Sequence, residues 1–322
     1  MQTLDSPLFS WDQEAYNNFG KKTQHLKHQL DLLDDDALIK LLDDYPREWL
    51  QCFTMGYNPE DYSEWKAVHI DKSSGKEILE AVKKGRFWIN IINIDKADKR
   101  FSNVIKEIYS KIAKNSNHLK DISSGYSALL LSSPGIQVYY HLDAEANMLW
   151  HLKGEKKIWV YPKDPKFSPQ IELEKVVAQE KDEDLPYKKH FDDAAKCFVL
   201  QAGDVISWPI HSPHRVENIT VNLSLASSYS SSENRRLNAI HCANYFILRK
   251  LGVKNRPTTN KGMVSAVKAY TYLTLNKLKF FKRQDRTSYY KTNLVLDHNS
   301  DSGMTTLQDS SYPIFANQGE QE

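Results

Sequence analysis

His141 and Asp143 stand two residues apart in the segment HLDAEANMLWHLKGEKKIWVYP, residues 141–162. On an extended strand, residues two apart project from the same face, so an imidazole and a carboxylate at this spacing can reach one ion. A second histidine from elsewhere would complete the two-histidine, one-carboxylate set of non-haem Fe(II) oxygenases, which leaves metal positions open for substrate and oxygen. The segment FVLQAGDVISWPIHSPHRVENITVNLSL, residues 198–225, offers two such histidines, His211 and His214. A His-x-Asp pair alone is common, and most such pairs are surface polar residues. Two further residues add to this one: Asn147, and Lys156 across a turn expected at Lys153-Gly154-Glu155. A lysine aimed into a barrel can hold a carboxylate as a point charge.

Strands must position these groups. Alternation and turn residues predict strands over 127–132, 136–141, 196–201, 205–208 and 221–226, and a hairpin of 147–152 with 156–161 about Gly154. Gly203-Asp204 reads as a structural turn, with Gly permitting the backbone and Asp capping it. The charged, Pro-containing stretch 162–196 is long for a connection and is expected to lie over the barrel mouth as a lid. His151 shares parity with Asn147 and faces either the pocket or a hydrogen-bonded core site. Tyr139, Tyr140, Trp150 and Trp208 read as barrel core more readily than as stacking platforms.

Upstream, residues 1–20 read as an arm. Leu26, Leu30, Leu33, Leu38, Leu41 and Leu42 recur at helical spacing and predict helix across 24–45, with Asp34, Asp35 and Asp36 capping a second piece at 37–42. A solvated cap is the plainer reading of those three acids than a metal cluster. Strands follow at 50–56 and 86–94, and helices at 75–84 and 101–113. Downstream, 234–251 and 262–281 read as helices, and the Ser/Asp/Asn/Gln-rich 287–322 as a disordered or loosely attached tail.

The chain has 322 residues, 40% hydrophobic and 26% charged, enough for a sizeable core in a soluble protein. No apolar run approaches the ~18 residues of a membrane span. The first residues show neither a basic start nor an apolar h-region, so a cytoplasmic protein is expected. Cys52, Cys197 and Cys242 have no zinc or disulfide spacing and read as reduced thiols. Net charge is only +2, but residues 246–291 hold twelve Lys/Arg against the single acid Asp285, which leaves an acidic body. That basic segment packs on the body or a partner subunit, binds nucleic acid or another acidic surface, or touches a membrane headgroup layer through Lys279-Phe280-Phe281-Lys282.

The run His141-x-Asp143-x3-Asn147, then Gly154-x-Lys156, a strand ending at Pro162, and Gly203-Asp204 followed by Pro209 and His214 resembles the JmjC/cupin-like Fe(II)/2-oxoglutarate-dependent oxygenases. The pattern is similar to that of the asparaginyl hydroxylase acting on hypoxia-inducible factor, and it covers about residues 124–230. Tyr45-Pro46-Arg47-Glu48, Ser132-Ser133-Pro134-Gly135 and Pro213-His214-Arg215-Val216-Glu217-Asn218 also resemble a bacterial cupin-like subgroup. The resemblance implies an α+β fold: a double-stranded β-helix (jelly-roll, cupin-like) core at 121–232, an N-terminal α/β flank at 1–120, basic C-terminal helices at 233–286 and the tail at 287–322. It implies Fe(II) held by His141, Asp143 and His214, the spacing from Pro209 selecting His214 over His211. It implies 2-oxoglutarate with its far carboxylate on Lys156, and Asn147 and Asn222 as polar pocket residues. Where the asparaginyl hydroxylase has a threonine this chain has Val138, so Tyr139, Tyr140 or Tyr126 would have to supply the hydroxyl. The implied activity is that of a dioxygenase, a hydroxylase of a protein side chain or small molecule, with a homodimer through the C-terminal helices. Two readings from other classes stand beside it: a non-catalytic cupin-like module that binds a small molecule, and a metal-dependent cupin enzyme that does not use 2-oxoglutarate.

Overall fold

In chain order the strands are β1 (Gln24–Lys27), β2 (Leu50–Thr54), β3 (Lys66–Val68), β4 (Phe87–Ile92), β5 (Ser123–Ser132), β6 (Gln137–His141), β7 (Ala146–Lys153), β8 (Glu155–Val160), β9 (Lys196–Gln201), β10 (Asp204–Ser207), β11 (His214–Asn218) and β12 (Asn222–Ser230). Four short strands follow: β13 (Lys291–Thr292), β14 (Leu294–Leu296), β15 (Met304–Thr306) and β16 (Tyr312–Pro313). The helices are α1 (Gln13–Asn18), α2 (Asp35–Asp44), α3 (Gly75–Lys84), α4 (Ile94–Ala97), α5 (Lys99–Asn115), α6 (Gln170–Val177), α7 (Ser232–Ala243) and α8 (Met263–Lys277). These come from a computed structural model that describes residues 9–70, 72–281, 291–307 and 312–313.

Among the described residues two main antiparallel sheets form, and β13 with β16 and β14 with β15 pair separately. The larger has the order β1-β10-β7-β12-β5-β4-β2-β3, the smaller β6-β11-β8-β9. Successive side chains of a strand alternate between faces. On the larger sheet Leu129, Leu131, Met148, Trp150, Leu223 and Leu225 point outward and pack with Ile78 and Val82 of α3 and Phe101, Ile105 and Ile108 of α5. Leu149 and Ala226 point the other way, into an apolar layer with Ile158, Val160, Leu200 and Val216 of the smaller sheet. Polar residues of this second parity flank that layer along the strands, and they include the residues singled out by spacing.

Several segments differ from their sequence reading. Of the expected arm at 1–20, residues 1–8 lie outside the described residues, and residues 9–20 are packed down: Asp12 caps α1, Phe9, Tyr16 and Phe19 are buried, and Trp11 stacks on Trp150 at 5.9 Å. The expected helix over 24–45 begins only at α2. Residues 24–27 instead pair with β10 as an edge strand, because tertiary pairing outweighs the leucine spacing there. The insertion 162–196 is tied down rather than draped. Leu142 N donates to Glu183 O and Leu185 N to Tyr140 O, extending the edge of β6, and Asp192 accepts from Arg215, Tyr161 and Tyr187. Within the expected tail, β14 and β15 pair as a hairpin, and His69 N donates to Leu294 O while Leu296 N donates to His69 O. A polar composition did not announce those backbone bonds. Residues 282–290, 308–311 and 314–322 of the basic segment and tail lie outside the described residues. Among the described residues, no helix is long and apolar enough to cross a membrane.

Candidate metal centre

His141 ends β6, and His214 begins β11 directly across from it. The register shifts between His214 and Val216, and such an irregularity re-aims a side chain. The two rings are 4.1 Å apart, centre to centre. Asp143 brings its carboxylate to 3.9 Å from His141 Nε2 and 3.6 Å from His214 Nε2. One ligand atom from each of the three lies within 4.8 Å of the others, a group that could hold a metal ion.

The backbone sets the tautomers. His141 Nδ1 lies 2.6 Å from the Tyr139 carbonyl, and His214 Nδ1 lies 3.1 Å from the Ser212 carbonyl. A carbonyl can only accept, so each Nδ1 carries a proton and each Nε2 is the nitrogen that faces Asp143. Metal-binding histidines are held through their other nitrogen in this way. Burial, then the neighbouring His141, holds the His214 pKa well below its usual value, which keeps the ring neutral. Burial raises the Asp143 pKa, opposed by His141 and by hydrogen bonds from Asn147 and Trp208. Asn147 donates to Asp143 Oδ2 at 3.4 Å. Two imidazole nitrogens and a carboxylate oxygen gathered this closely form a donor set that suits a divalent cation.

His211 is engaged elsewhere. Its Nε2 meets Asn238 Oδ1 at 2.8 Å, and its ring packs edge-on against His241 of α7. His151 is a satisfied core residue, with Nδ1 on Ser224 Oγ and Nε2 on Gly154 O, both at 2.9 Å. Of the four aromatics, Trp208 reaches the inner layer, its ring 4.5 Å from that of His214, while Trp150 packs on the outer face.

A second polar group lies along the strands from the first. Asn218 is four residues beyond His214, ~13 Å at the rise of a strand, and it pairs across with Lys156 of β8. Lys156 is 2% exposed, and its Nζ finds no acceptor among the described residues. Burial pulls its pKa down to about 7. Asn222 Nδ2 donates to Asn218 Oδ1 at 2.9 Å, while Asn222 Oδ1 is buried and unpartnered. Ser132 pairs across from Asn222, and its buried Oγ is also unpartnered. A buried cation beside two idle polar atoms fits one end of a carboxylate ligand.

The tyrosines named for the missing hydroxyl do not supply it. Tyr139 Oη accepts from Gly56 N, and Tyr140 Oη donates to Phe167 O. Tyr126 is six residues along β5 from Ser132, at the metal end, where it donates to Asn90 Oδ1 at 2.9 Å. Ser132 is the hydroxyl at the Lys156 end. In the sequence it stands out only as part of Ser132-Ser133-Pro134-Gly135, with no role attached. Glu183 is another residue the sequence did not mark. Solvent reaches it, yet its pKa is pushed up to about 8, first by desolvation in the recess and then by Asp143 facing it.

The chain shares its fold with Escherichia coli YcfD. The X-ray structure of that protein superposes with a TM-score of 0.50 at 13% identity, over 84% of this chain and 69% of the other. A second YcfD structure, described as a ribosomal oxygenase in complex with cobalt and 2-oxoglutarate, gives 0.49 at 14% identity, over 85% and 69%. At this identity the likeness speaks for the fold alone. No protein-family model matches the chain, and no curated protein matches it in sequence.

Proposed function

We propose that this protein is an Fe(II)- and 2-oxoglutarate-dependent oxygenase, a hydroxylase of a protein side chain or small molecule, with β5–β12 forming a double-stranded β-helix. One observation carries the reading. Two imidazole lone pairs and a carboxylate converge at one end of the inter-sheet layer, and a buried lysine without a counter-ion waits at the other. His141, Asp143 and His214 would hold the metal. Lys156 would take the far carboxylate of the keto acid, with Ser132 and Asn222 as hydrogen-bonding partners. When bound, iron would activate dioxygen, one oxygen atom going into succinate as 2-oxoglutarate is oxidatively decarboxylated with loss of carbon dioxide and the other into the hydroxylated substrate. The chain's own residues bind, orient and exclude water. Val138, Leu149, Val216 and Ala226 line an apolar wall between the two polar ends. Asn147 orients the Asp143 carboxylate, and Tyr126 and Glu183 border the open side where a substrate would enter.

Anaerobic titration of metal-free protein with Fe(II) and then 2-oxoglutarate tests this. The expected outcome is a weak visible charge-transfer band that His141→Ala and His214→Ala abolish while the circular dichroism spectrum stays unchanged. Iron binding without the band would favour a cupin enzyme that does not use 2-oxoglutarate. Folded protein that takes up neither ligand would favour a non-catalytic binding module.

A homodimer through the C-terminal helices is the second part of the proposal. Met263, Val267 and Tyr270 recur at helical spacing on one face of α8 and are 82%, 59% and 74% exposed. A twofold contact would bury this stripe against its own copy.

A further inference from the structure

Asn238 of α7 touches neither the candidate ligands nor the inter-sheet layer, yet it joins the two loops that carry two of the ligands. Its Nδ2 donates to the carbonyl of Ala144 at 2.9 Å, one residue past Asp143. Its Oδ1 lies 2.8 Å from His211 Nε2, three residues before His214. A carboxamide offers a donor and an acceptor side by side, so a single side chain can hold a carbonyl on one loop and an N–H on the other. An aspartate has the same shape but offers Ala144 only an acceptor.

The backbone around His211 gives the bridge a task. His211 has a φ of 65°, in the left-handed region that a residue with a Cβ enters at some cost. Local strain of this kind persists where surrounding contacts hold it. The contacts here are the Asn238 carboxamide, the ring of His241 and the Ala144 backbone, to which the His211 ring also hydrogen-bonds. From His211 the chain turns through Ser212, whose carbonyl receives His214 Nδ1–H and so sets the aim of the His214 ring. On the other side, Leu142 N–H is held by Glu183 O and Ala144 O by Asn238, so Asp143 is anchored on both flanks.

Resting on the metal-centre reading above, we propose that Asn238 is a positioning residue. It locks the Asp143 loop to the His211–His214 loop, so that the C-terminal helix α7 is an integral part of the candidate metal site. Sequence distance hides this, because Asn238 lies 24 residues past His214 on a helix outside the barrel.

The test is Co(II) binding to the full-length metal-free chain, followed by the visible d–d spectrum and by the rise in melting temperature that saturating Co(II) produces. Wild type, Asn238→Asp, Asn238→Ala, His211→Ala and, as a control, His214→Ala are compared. Outer partners of metal ligands are worth about 10- to 100-fold in affinity. Asn238→Asp, which replaces the donor to Ala144 by an anionic acceptor, is expected to weaken Co(II) at least about tenfold and to alter the d–d band. His211→Ala is expected to do the same from the other side of the bridge. The Co(II)-induced rise in melting temperature reads affinity even in a variant that is less stable, so a destabilised variant still decides the matter. If wild type binds Co(II), His214→Ala does not, and the Asn238 and His211 variants bind with wild-type affinity and spectrum, the positioning role is wrong while the metal site stands. If wild type itself fails to bind Co(II), the metal-centre reading falls and this inference falls with it.

Discussion

Lys156 gives the sharpest test of the site, because its two roles pull in opposite directions. Burial lowers its pKa from an ordinary 10.5 to about 7. At about 1.4 kcal/mol per pH unit, that separation is worth ~5 kcal/mol between the folded and unfolded states. Halving the figure for relaxation and water penetration around a buried charge leaves ~2.5 kcal/mol. The direction is fixed. Between pH 7 and 10.5 the unfolded chain holds this proton and the native chain does not, so the native state gains stability as pH rises through that window. Below about pH 7 both states are charged and the folded protein carries the whole penalty. Lys156→Met keeps the length of the side chain and removes the charge. The ligand-free variant is therefore expected to melt roughly 4 °C higher than wild type at pH 7.5. That advantage should shrink toward pH 10. The same variant should lose the anchor for the far carboxylate. A charged hydrogen bond is worth about 1.5–3 kcal/mol, so 2-oxoglutarate binding should weaken by about 10- to 100-fold. Thermal melts of both proteins from pH 7 to 10, with and without Co(II) and 2-oxoglutarate, measure both effects. A variant that is less stable than wild type yet keeps its full response to 2-oxoglutarate would refute the reasoning, since Lys156 would then be a packing residue and not a waiting counter-ion.

Other outcomes follow from the same geometry. Ser132→Ala removes a buried hydroxyl that has no partner, so the ligand-free protein should be as stable as wild type or slightly more so, while 2-oxoglutarate binds several-fold more weakly at about 1 kcal/mol per lost hydrogen bond; an isothermal titration showing wild-type affinity would remove Ser132 from the site. Val267→Glu or Tyr270→Glu on α8 should convert a dimer to a monomer in sedimentation velocity, and a wild-type chain that sediments as a monomer at high concentration would end the dimer reading. The loss of the Fe(II) charge-transfer band in His141→Ala and His214→Ala, and the weakened Co(II) binding of Asn238→Asp, complete the set.

What the sequence by itself determined was local. The two-residue spacing of His141 and Asp143 on a strand places both side chains on one face whatever surrounds them. Gly154, with φ 79°, and Gly203, with φ 91°, mark turns that only a residue without a Cβ makes easily, and they set where Lys156 and the β9–β10 hairpin begin. Alternation along β5, β7 and β12 separates outward from inward residues before any contact is known. Tertiary structure decided everything that depends on which elements meet. His211 and His214 are equivalent by local chemistry; the resemblance picks His214 by its spacing from Pro209, and the pairing of β11 with β6, together with the capture of His211 by Asn238, supplies the physical reason. The tyrosines near Val138 looked able to replace a hydroxyl because parity does not say what lies beyond each face; Ser132 emerged once β5 was seen beside β12. Residues 24–27 carry a helical leucine spacing, but the open edge of β10 offered backbone hydrogen bonds that outweighed a weak local preference. The hairpin at 291–307 was invisible for the same reason: its stability comes from bonds to His69, more than two hundred residues away, and the composition of a segment carries no trace of the partner it will meet.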